Sequence, residues 1–129
     1  MEPDFSRYSL ALIHEGEMVH SSTRKGLRPL HECIKEHDKL RGCELHDKII
    51  GLAAARLIVD SQMIDAVKTT TASEPAQGLL KDYGIKIEAK KTVKNILTKD
   101  KDDICPMEKL AMQIDDNARF AAELGKRMG

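Results

Sequence analysis

The sequence predicts a three-layer α/β/α fold, in which helices cover a mixed β-sheet. Two short apolar runs joined by a glycine-containing connection predict a hairpin, and a long segment that is apolar on nearly every side predicts a buried helix. Further along, β-rich segments alternate with helical segments of about 10–15 residues, a pattern typical of βαβ crossovers. With 129 residues and no internal repeat or linker, the chain is predicted to form one domain over residues 1–129.

The first third of the chain predicts a hairpin and a helix. The apolar runs at residues 8–13 and 18–22 are separated by Glu15-Gly16-Glu17, a three-residue connection with glycine at its centre. In residues 27–37, apolar side chains recur at helical spacing, which predicts an amphipathic helix.

The middle of the chain predicts a helix, a strand and a second helix. Residues 45–59 are apolar on nearly every side, which indicates a helix clamped between other layers. Residues 63–71 are β-rich and predict a strand. Ser73, followed by Glu74-Pro75, is a typical N-cap for a helix that ends at Gly84.

The last third begins with a strand over residues 85–89, where apolar and charged side chains alternate. A short apolar stretch at residues 93–97 follows and is predicted as strand or loop. Pro106 marks the first turn of a helix over residues 104–114, and an amphipathic helix is predicted over residues 116–126.

The composition excludes several classes of protein. Lys and Arg total 21, Asp and Glu total 21, and the formal net charge is +0, so the chain lacks the basic excess of a dedicated nucleic-acid binder. Aromatic residues make up 3%, which leaves almost no platform for base stacking. We expect no membrane span, since no apolar run reaches about 18–20 residues. The polar N-terminus and three irregularly spaced cysteines favour a cytoplasmic protein with reduced thiols.

Three segments are candidates for anion binding, because each is predicted to precede or open a helix: residues 46–48, 69–73 and 105–108. A helix N-terminus presents backbone N–H groups and a positive dipole end, which suit a phosphate. An alternative remains open for each segment: Asp47 and Ser73 are helix caps, and Glu108 offsets the dipole.

Lys25 and Arg28 flank Gly26 in the loop after the hairpin. Arg can bind a phosphate as a bidentate fork and Lys as a point charge, although a solvated loop is an equally simple interpretation. Asp47 and Lys48 are adjacent, so they should contact different partners. Asp47 is a candidate base or sugar-hydroxyl acceptor, and Lys48 a candidate phosphate ligand.

Cys105 is a candidate nucleophile, because the N-terminus of a helix lowers the pKa of a thiol. Glu108 follows three positions later and is its candidate partner. A buried, inert cysteine is the alternative interpretation.

A group of histidines and cysteines between residues 31 and 46 is a second candidate site, with Cys33, His37, Cys43 and His46 in spaced pairs. The pairs lack the Cys-x-x-Cys spacing of zinc sites, and His31 and Cys33 lie on opposite sides of the predicted helix. We therefore predict no metal and no cofactor.

The layout resembles the cytidine-deaminase-like fold, whose zinc motifs are [His/Cys]-x-Glu and Pro-Cys-x-x-Cys. His46-Asp47-Lys48 stands at the first motif and Pro75-Ala76-Gln77-Gly78-Leu79 at the second. The resemblance implies that Ala76 and Leu79 replace the two cysteine ligands and that Lys48 replaces the proton-shuttling Glu. Zinc deaminase activity is therefore not expected, and whether His46 or Asp47 takes the remaining ligand position stays open.

More narrowly, the chain resembles the DUF1893 family, a group of unknown function within this fold. The resemblance rests on residues 25–30, 47–55 and 105–108. It covers about residues 8–112, which leaves residues 116–129 as a C-terminal helix.

We therefore expect the chain to bind a nucleotide or another phosphate-bearing small molecule, with no nucleic-acid partner. Any chemistry would be metal-free and would fall to Asp47 or Cys105. A non-catalytic interaction or regulatory module is the alternative, and a homo-oligomer is expected in which residues 47–59 contribute to the interface. The predicted ligand-binding residues are Lys25, Arg28, Lys48, Thr70, Thr71, Ser73 and Glu108.

Overall fold

A computed structural model describes residues 2–95 and 117–128 of the chain. These residues form a mixed six-stranded sheet with helices packed against it. The strands are β1 (Leu10–His14), β2 (Glu17–Ser22), β3 (Cys43–Asp47), β4 (Ile49–Ile50), β5 (Ile64–Ser73) and β6 (Lys86–Val93). The helices are α1 (Arg28–Glu36), α2 (Leu52–Ser61), α3 (Glu74–Asp82) and α4 (Asn117–Met128).

The hairpin of β1 and β2 is confirmed. Glu15 and Gly16 in its connection both have positive φ, 52° and 80°, which a tight turn matching the twist of the two strands requires. The side chains of β1 are buried, whereas those of β2 are largely exposed at the edge of the sheet.

The sheet is antiparallel on one side and parallel on the other. β1 lies antiparallel between β2 and β3, and β3, β4 and β6 all run parallel to β5. β4 and β6 both pair with Thr71 and Ala72, so they must occupy opposite edges of β5. The spatial order is therefore β2-β1-β3-β5-β6, with β4 continuing the line of β3.

Both faces of β1 are buried. Leu10 and Leu12 belong to the main core beneath the helices, whereas Ala11 and Ile13 pack with Tyr8 in a second cluster. Alternate residues of a strand face opposite sides of a sheet, so β1 contributes to both clusters. This arrangement is consistent with the predicted three-layer α/β/α class.

The helix predicted over residues 45–59 is wrong in its first half. The structure places β3 and β4 there, and α2 begins only at Leu52, after Gly51 as N-cap. β3 is only five residues long and its apolar and polar side chains alternate, but it leads directly into the apolar residues 49–59, which give the whole segment the pattern of one helix. As a result, His46 and Asp47 lie at the carboxyl end of a strand and do not open a helix.

The other elements in the described ranges follow the sequence prediction. The Ser73 hydroxyl accepts a hydrogen bond from the Ala76 N–H and caps α3, as expected. β6 extends to Val93, and α4 covers the predicted C-terminal helix. The helix predicted over residues 104–114 lies outside the described residues. Within the described ranges, no helix is long and apolar enough to cross a membrane.

Candidate functional site

A cavity of about 500 Å³ lies at the carboxyl end of β3, between the loop that precedes α1 and the first turn of α2. In α/β sheets this end of the strands is where ligands bind. The polar part of its lining comprises Ser9, Arg24, Lys25, Asp47 and Lys48. The remainder comprises Leu10, Gly26, Leu27, Pro29, Ile49, Gly51, Ala53 and Ala54.

Basic side chains surround the cavity. The Arg24 Nη1 atom lies 3.1 Å from Glu32 Oε2, so its charge is already paired. Lys25 and Lys48 are exposed, and neither has an ion-pair partner among residues 2–95 and 117–128. Two lysines without an ion-pair partner in the described ranges, both lining the cavity, favour an anion there.

The loop before α1 and the start of α2 also favour the binding of an anion in the cavity. Gly26 has a φ of +87°, a conformation that glycine adopts without strain, and it turns the chain between Lys25 and α1. Gly51, Ala53 and Ala54 of the cavity lining belong to the start of α2, whose first turn carries no acidic side chain. The positive end of the α2 dipole therefore faces the cavity.

Asp47 is the acidic residue among the described residues that line the cavity. It ends β3, and its side chain is half-buried. Burial raises the pKa of Asp47 from 3.8 to about 8, although hydrogen bonds with the backbone of Ile49 and Lys48 oppose the rise. At neutral pH the carboxyl group is mostly protonated, so it can both donate and accept a hydrogen bond without repelling an anion.

The raised pKa of Asp47 predicts a pH-dependent stability. The folded state holds this proton more tightly than the unfolded chain, so stability contributed by Asp47 is lost as the pH rises from about 4 to about 8. Asp47→Asn should remove this dependence and stabilise the chain at about pH 9 by on the order of 1–2 kcal/mol. The side chain is partly open to the cavity, which keeps the effect below that of a fully buried acid.

Urea unfolding of the wild-type chain and of Asp47→Asn, at about pH 5 and about pH 9, measures the pH dependence of their difference in stability. Asp38→Asn, a substitution of an exposed aspartate, is the matched control and should change stability equally at both pH values. An Asp47→Asn effect that is the same at both pH values would contradict the prediction.

The other predicted ligand-binding residues in the described ranges do not line this cavity. Thr71 donates its N–H to the Lys48 carbonyl, and Thr70 lies beside it on β5, so this part of the strand holds the backbone of Lys48. The hydroxyl of Ser73 is used in the helix cap. Arg28 is exposed at the start of α1. Cys105 and Glu108 lie outside the described residues.

His46 faces away from the cavity and is fully buried. Its Nδ1 lies 3.1 Å from the Tyr8 hydroxyl, and its Nε2 lies 2.6 Å from Glu44 Oε2, so both ring nitrogens are hydrogen-bonded inside the protein. Of the two adjacent residues, only Asp47 reaches the cavity. The sequence analysis missed this network because Glu44 and His46 share a face only if residues 43–47 form a strand.

The comparisons with known proteins identify a family. A family model described as a domain of unknown function (DUF1893, TM1506) matches residues 5–128. The chain is also similar to a solved crystal structure of a DUF1893 family protein (TM1506) from Thermotoga maritima. The two share 29% sequence identity and a TM-score of 0.85, over 95% of this chain and 82% of that chain. The comparison with curated proteins finds no match. Since the family model spans nearly the whole sequence, the chain belongs to the DUF1893 family.

Proposed function

We propose that the cavity at the end of β3 binds a phosphate-bearing small molecule of the nucleotide class. The observation that carries this proposal is that Lys25 and Lys48, for which the described part of the chain offers no ion-pair partner, line the cavity beside the start of α2. A phosphate there would gain charge-assisted hydrogen bonds from the ammonium groups and a favourable interaction with the helix dipole.

The rest of the cavity suits the remainder of a nucleotide. Its volume of about 500 Å³ falls within the range of small-molecule sites, about 300–1,000 Å³. Leu10, Leu27 and Pro29 give it an aliphatic wall, on which a base or sugar can pack without aromatic stacking. The Asp47 carboxyl group is placed to hydrogen-bond a sugar hydroxyl or a base edge.

Lysine variants provide the test. Isothermal titration calorimetry with AMP, ADP, ATP, ADP-ribose and inorganic phosphate should detect binding of at least one nucleotide to the wild-type chain. Lys25→Ala and Lys48→Ala should each weaken that binding about tenfold, because each removes a charge-assisted hydrogen bond. Asp47→Ala, which removes the hydrogen-bonding group, should weaken the binding of nucleotides but leave the binding of inorganic phosphate unchanged.

Lys90→Ala is the matched control, since Lys90 is exposed on β6, at the opposite edge of the sheet from the hairpin. Its affinity for the same ligand should equal that of the wild type. Absence of binding across the whole panel, or equal loss in Lys90→Ala, would overturn the proposal.

Three broader predictions remain proposals alongside this one: the deaminase-like ancestry, the cytoplasmic location and the homo-oligomer. The oligomer interface predicted on residues 47–59 has little exposed surface on α2, because residues 53–59 of that helix are buried within the chain itself. Light scattering coupled to gel filtration on the same preparations gives the oligomeric state with and without nucleotide.

A further inference from the structure

Three side chains meet at the far end of α1 from the cavity. His20 lies on the edge strand β2, Glu36 is the last residue of α1, and His37 is its C-cap. The sequence gives no sign of the group, because His20 and His37 are separated by the whole of α1 and meet only when the hairpin packs beside that helix.

The ligand atoms of the three side chains form a small triangle. His20 Nδ1 lies 3.2 Å from His37 Nε2 and 3.3 Å from Glu36 Oε2. The third edge, from His37 Nε2 to Glu36 Oε2, is 3.8 Å. All three potential ligand atoms therefore lie within one small volume.

The dimensions of the triangle match those of a zinc site. Zinc–nitrogen and zinc–oxygen bonds of about 2.0–2.2 Å in a tetrahedron place neighbouring ligand atoms about 3.4 Å apart. The observed edges lie close to this value, so a point about 2 Å from all three atoms exists at the centre of the triangle.

Hydrogen bonding alone accounts less well for the contacts. Glu36 as a carboxylate can only accept, so with neutral histidines a single ring proton, on His20 Nδ1 or on His37 Nε2, would have to serve two acceptors at once. One cation at the centre of the triangle accepts electron pairs from all three atoms at once. Two imidazoles and a carboxylate are a donor set that zinc and related transition metals use, whereas magnesium and calcium prefer oxygen ligands.

We propose that His20, Glu36 and His37 form a binding site for a divalent transition-metal ion of the zinc class. The side chains of His20 and His37 are 17% and 24% exposed, and that of Glu36 is 64% exposed, so the fourth coordination position opens to solvent. The site shares no residue with the cavity and does not depend on the proposed nucleotide binding.

A bound ion would also cross-link the edge strand to the helix. Among the described strands, β2 is the outermost and pairs only with β1, and the ion would attach it to the end of α1. Binding to the folded state and not to the unfolded chain raises the melting temperature in proportion to the logarithm of the free metal concentration.

Metal titration of the untagged protein is the test. Calorimetry with zinc chloride should give one ion per chain, and magnesium chloride should give no comparable binding. Cobalt(II) should give the visible band of a four-coordinate ion without a thiolate charge-transfer band, which distinguishes this site from binding to the thiols of Cys33 and Cys43. Both thiols are buried.

Variants of the cluster complete the test. His20→Gln, His37→Gln and Glu36→Gln should each weaken zinc binding by at least about tenfold and abolish the zinc-dependent rise in melting temperature. Glu36 is exposed, so its substitution keeps the fold intact even if a histidine variant does not fold. His31→Gln, on the same helix and outside the cluster, is the matched control and should bind zinc as the wild type does. Absence of zinc binding to the wild type, or binding that persists in Glu36→Gln and both histidine variants, would overturn the proposal.

Discussion

Phe120→Ala is expected to lower the free energy of unfolding by about 3–5 kcal/mol, the largest loss we predict for one substitution in the described chain. Phe120 is 0% exposed and lies on α4, which packs against α2. Its ring also lies 5.0 Å from the guanidinium carbon of Arg56, a buried residue of α2. The substitution removes apolar burial and a cation–π contact together, and it leaves a cavity between two helices.

Urea unfolding followed by circular dichroism measures this loss. Arg119→Ala is the matched control, because Arg119 is the exposed neighbour on the same helix and its removal should cost no more than about 0.5 kcal/mol. Phe120→Leu, which keeps most of the apolar volume, should fall between the two. If Phe120→Ala were no more destabilising than Arg119→Ala, the docking of α4 on α2 described above would be wrong.

His46→Ala is expected to lower the free energy of unfolding by about 3 kcal/mol, by a different mechanism. The imidazole is fully buried, stacks near the Tyr8 ring at 6.4 Å between centroids, and bridges the Tyr8 hydroxyl to Glu44. The backbone N–H of Asp4 donates to the Tyr8 hydroxyl, so the hydroxyl can donate to Nδ1 while Nε2–H donates to Glu44. Alanine removes the packing and leaves the Tyr8 hydroxyl without its buried partner.

Further variants separate the contribution of packing from that of the hydrogen bonds. Tyr8→Phe removes only the hydroxyl and should cost about 1 kcal/mol, because the Asp4 N–H and His46 Nδ1 then lose a partner. His31→Ala, at a partly exposed histidine of α1, is the matched control and should cost less than about 1 kcal/mol. An equal cost for His31→Ala and His46→Ala in chemical denaturation would show that the network does not stabilise the fold.

The proposed binding sites are separable in experiment. The lysine variants alter the cavity beside the start of α2, whereas the histidine and Glu36 variants alter the end of α1. If the protein binds zinc but no nucleotide, only the metal-site proposal is supported. If it binds a nucleotide but no zinc, only the cavity proposal is supported.

Most secondary structure could be predicted from the sequence, because its signals are local. The glycine-containing connection at Glu15-Gly16 indicates a hairpin whatever surrounds it, and the Ser73 cap and Gly84 delimit α3 through their own backbone chemistry. The membership of the DUF1893 family could also be predicted from the sequence, and the family model that matches residues 5–128 confirms it.

The prediction over residues 45–59 failed because a short strand runs directly into an apolar helix. α2 is buried along most of its length and shows no wide polar stripe, and the alternating side chains of β3 are too few to separate a period of 2 from one of 3.6. Gly51, at the boundary, was the local sign that the segment divides.

The sequence by itself therefore determined the α/β class and most element types, and it indicated Lys25, Asp47 and Lys48 as candidate site residues. Only the tertiary structure decided that Asp47 faces a cavity while His46 faces the core, since that choice depends on the alternation of a strand. It also decided that His20 meets His37 and Glu36. Contacts between distant segments arise from how the sheet and helices pack, and no local pattern of side chains encodes the distances between them.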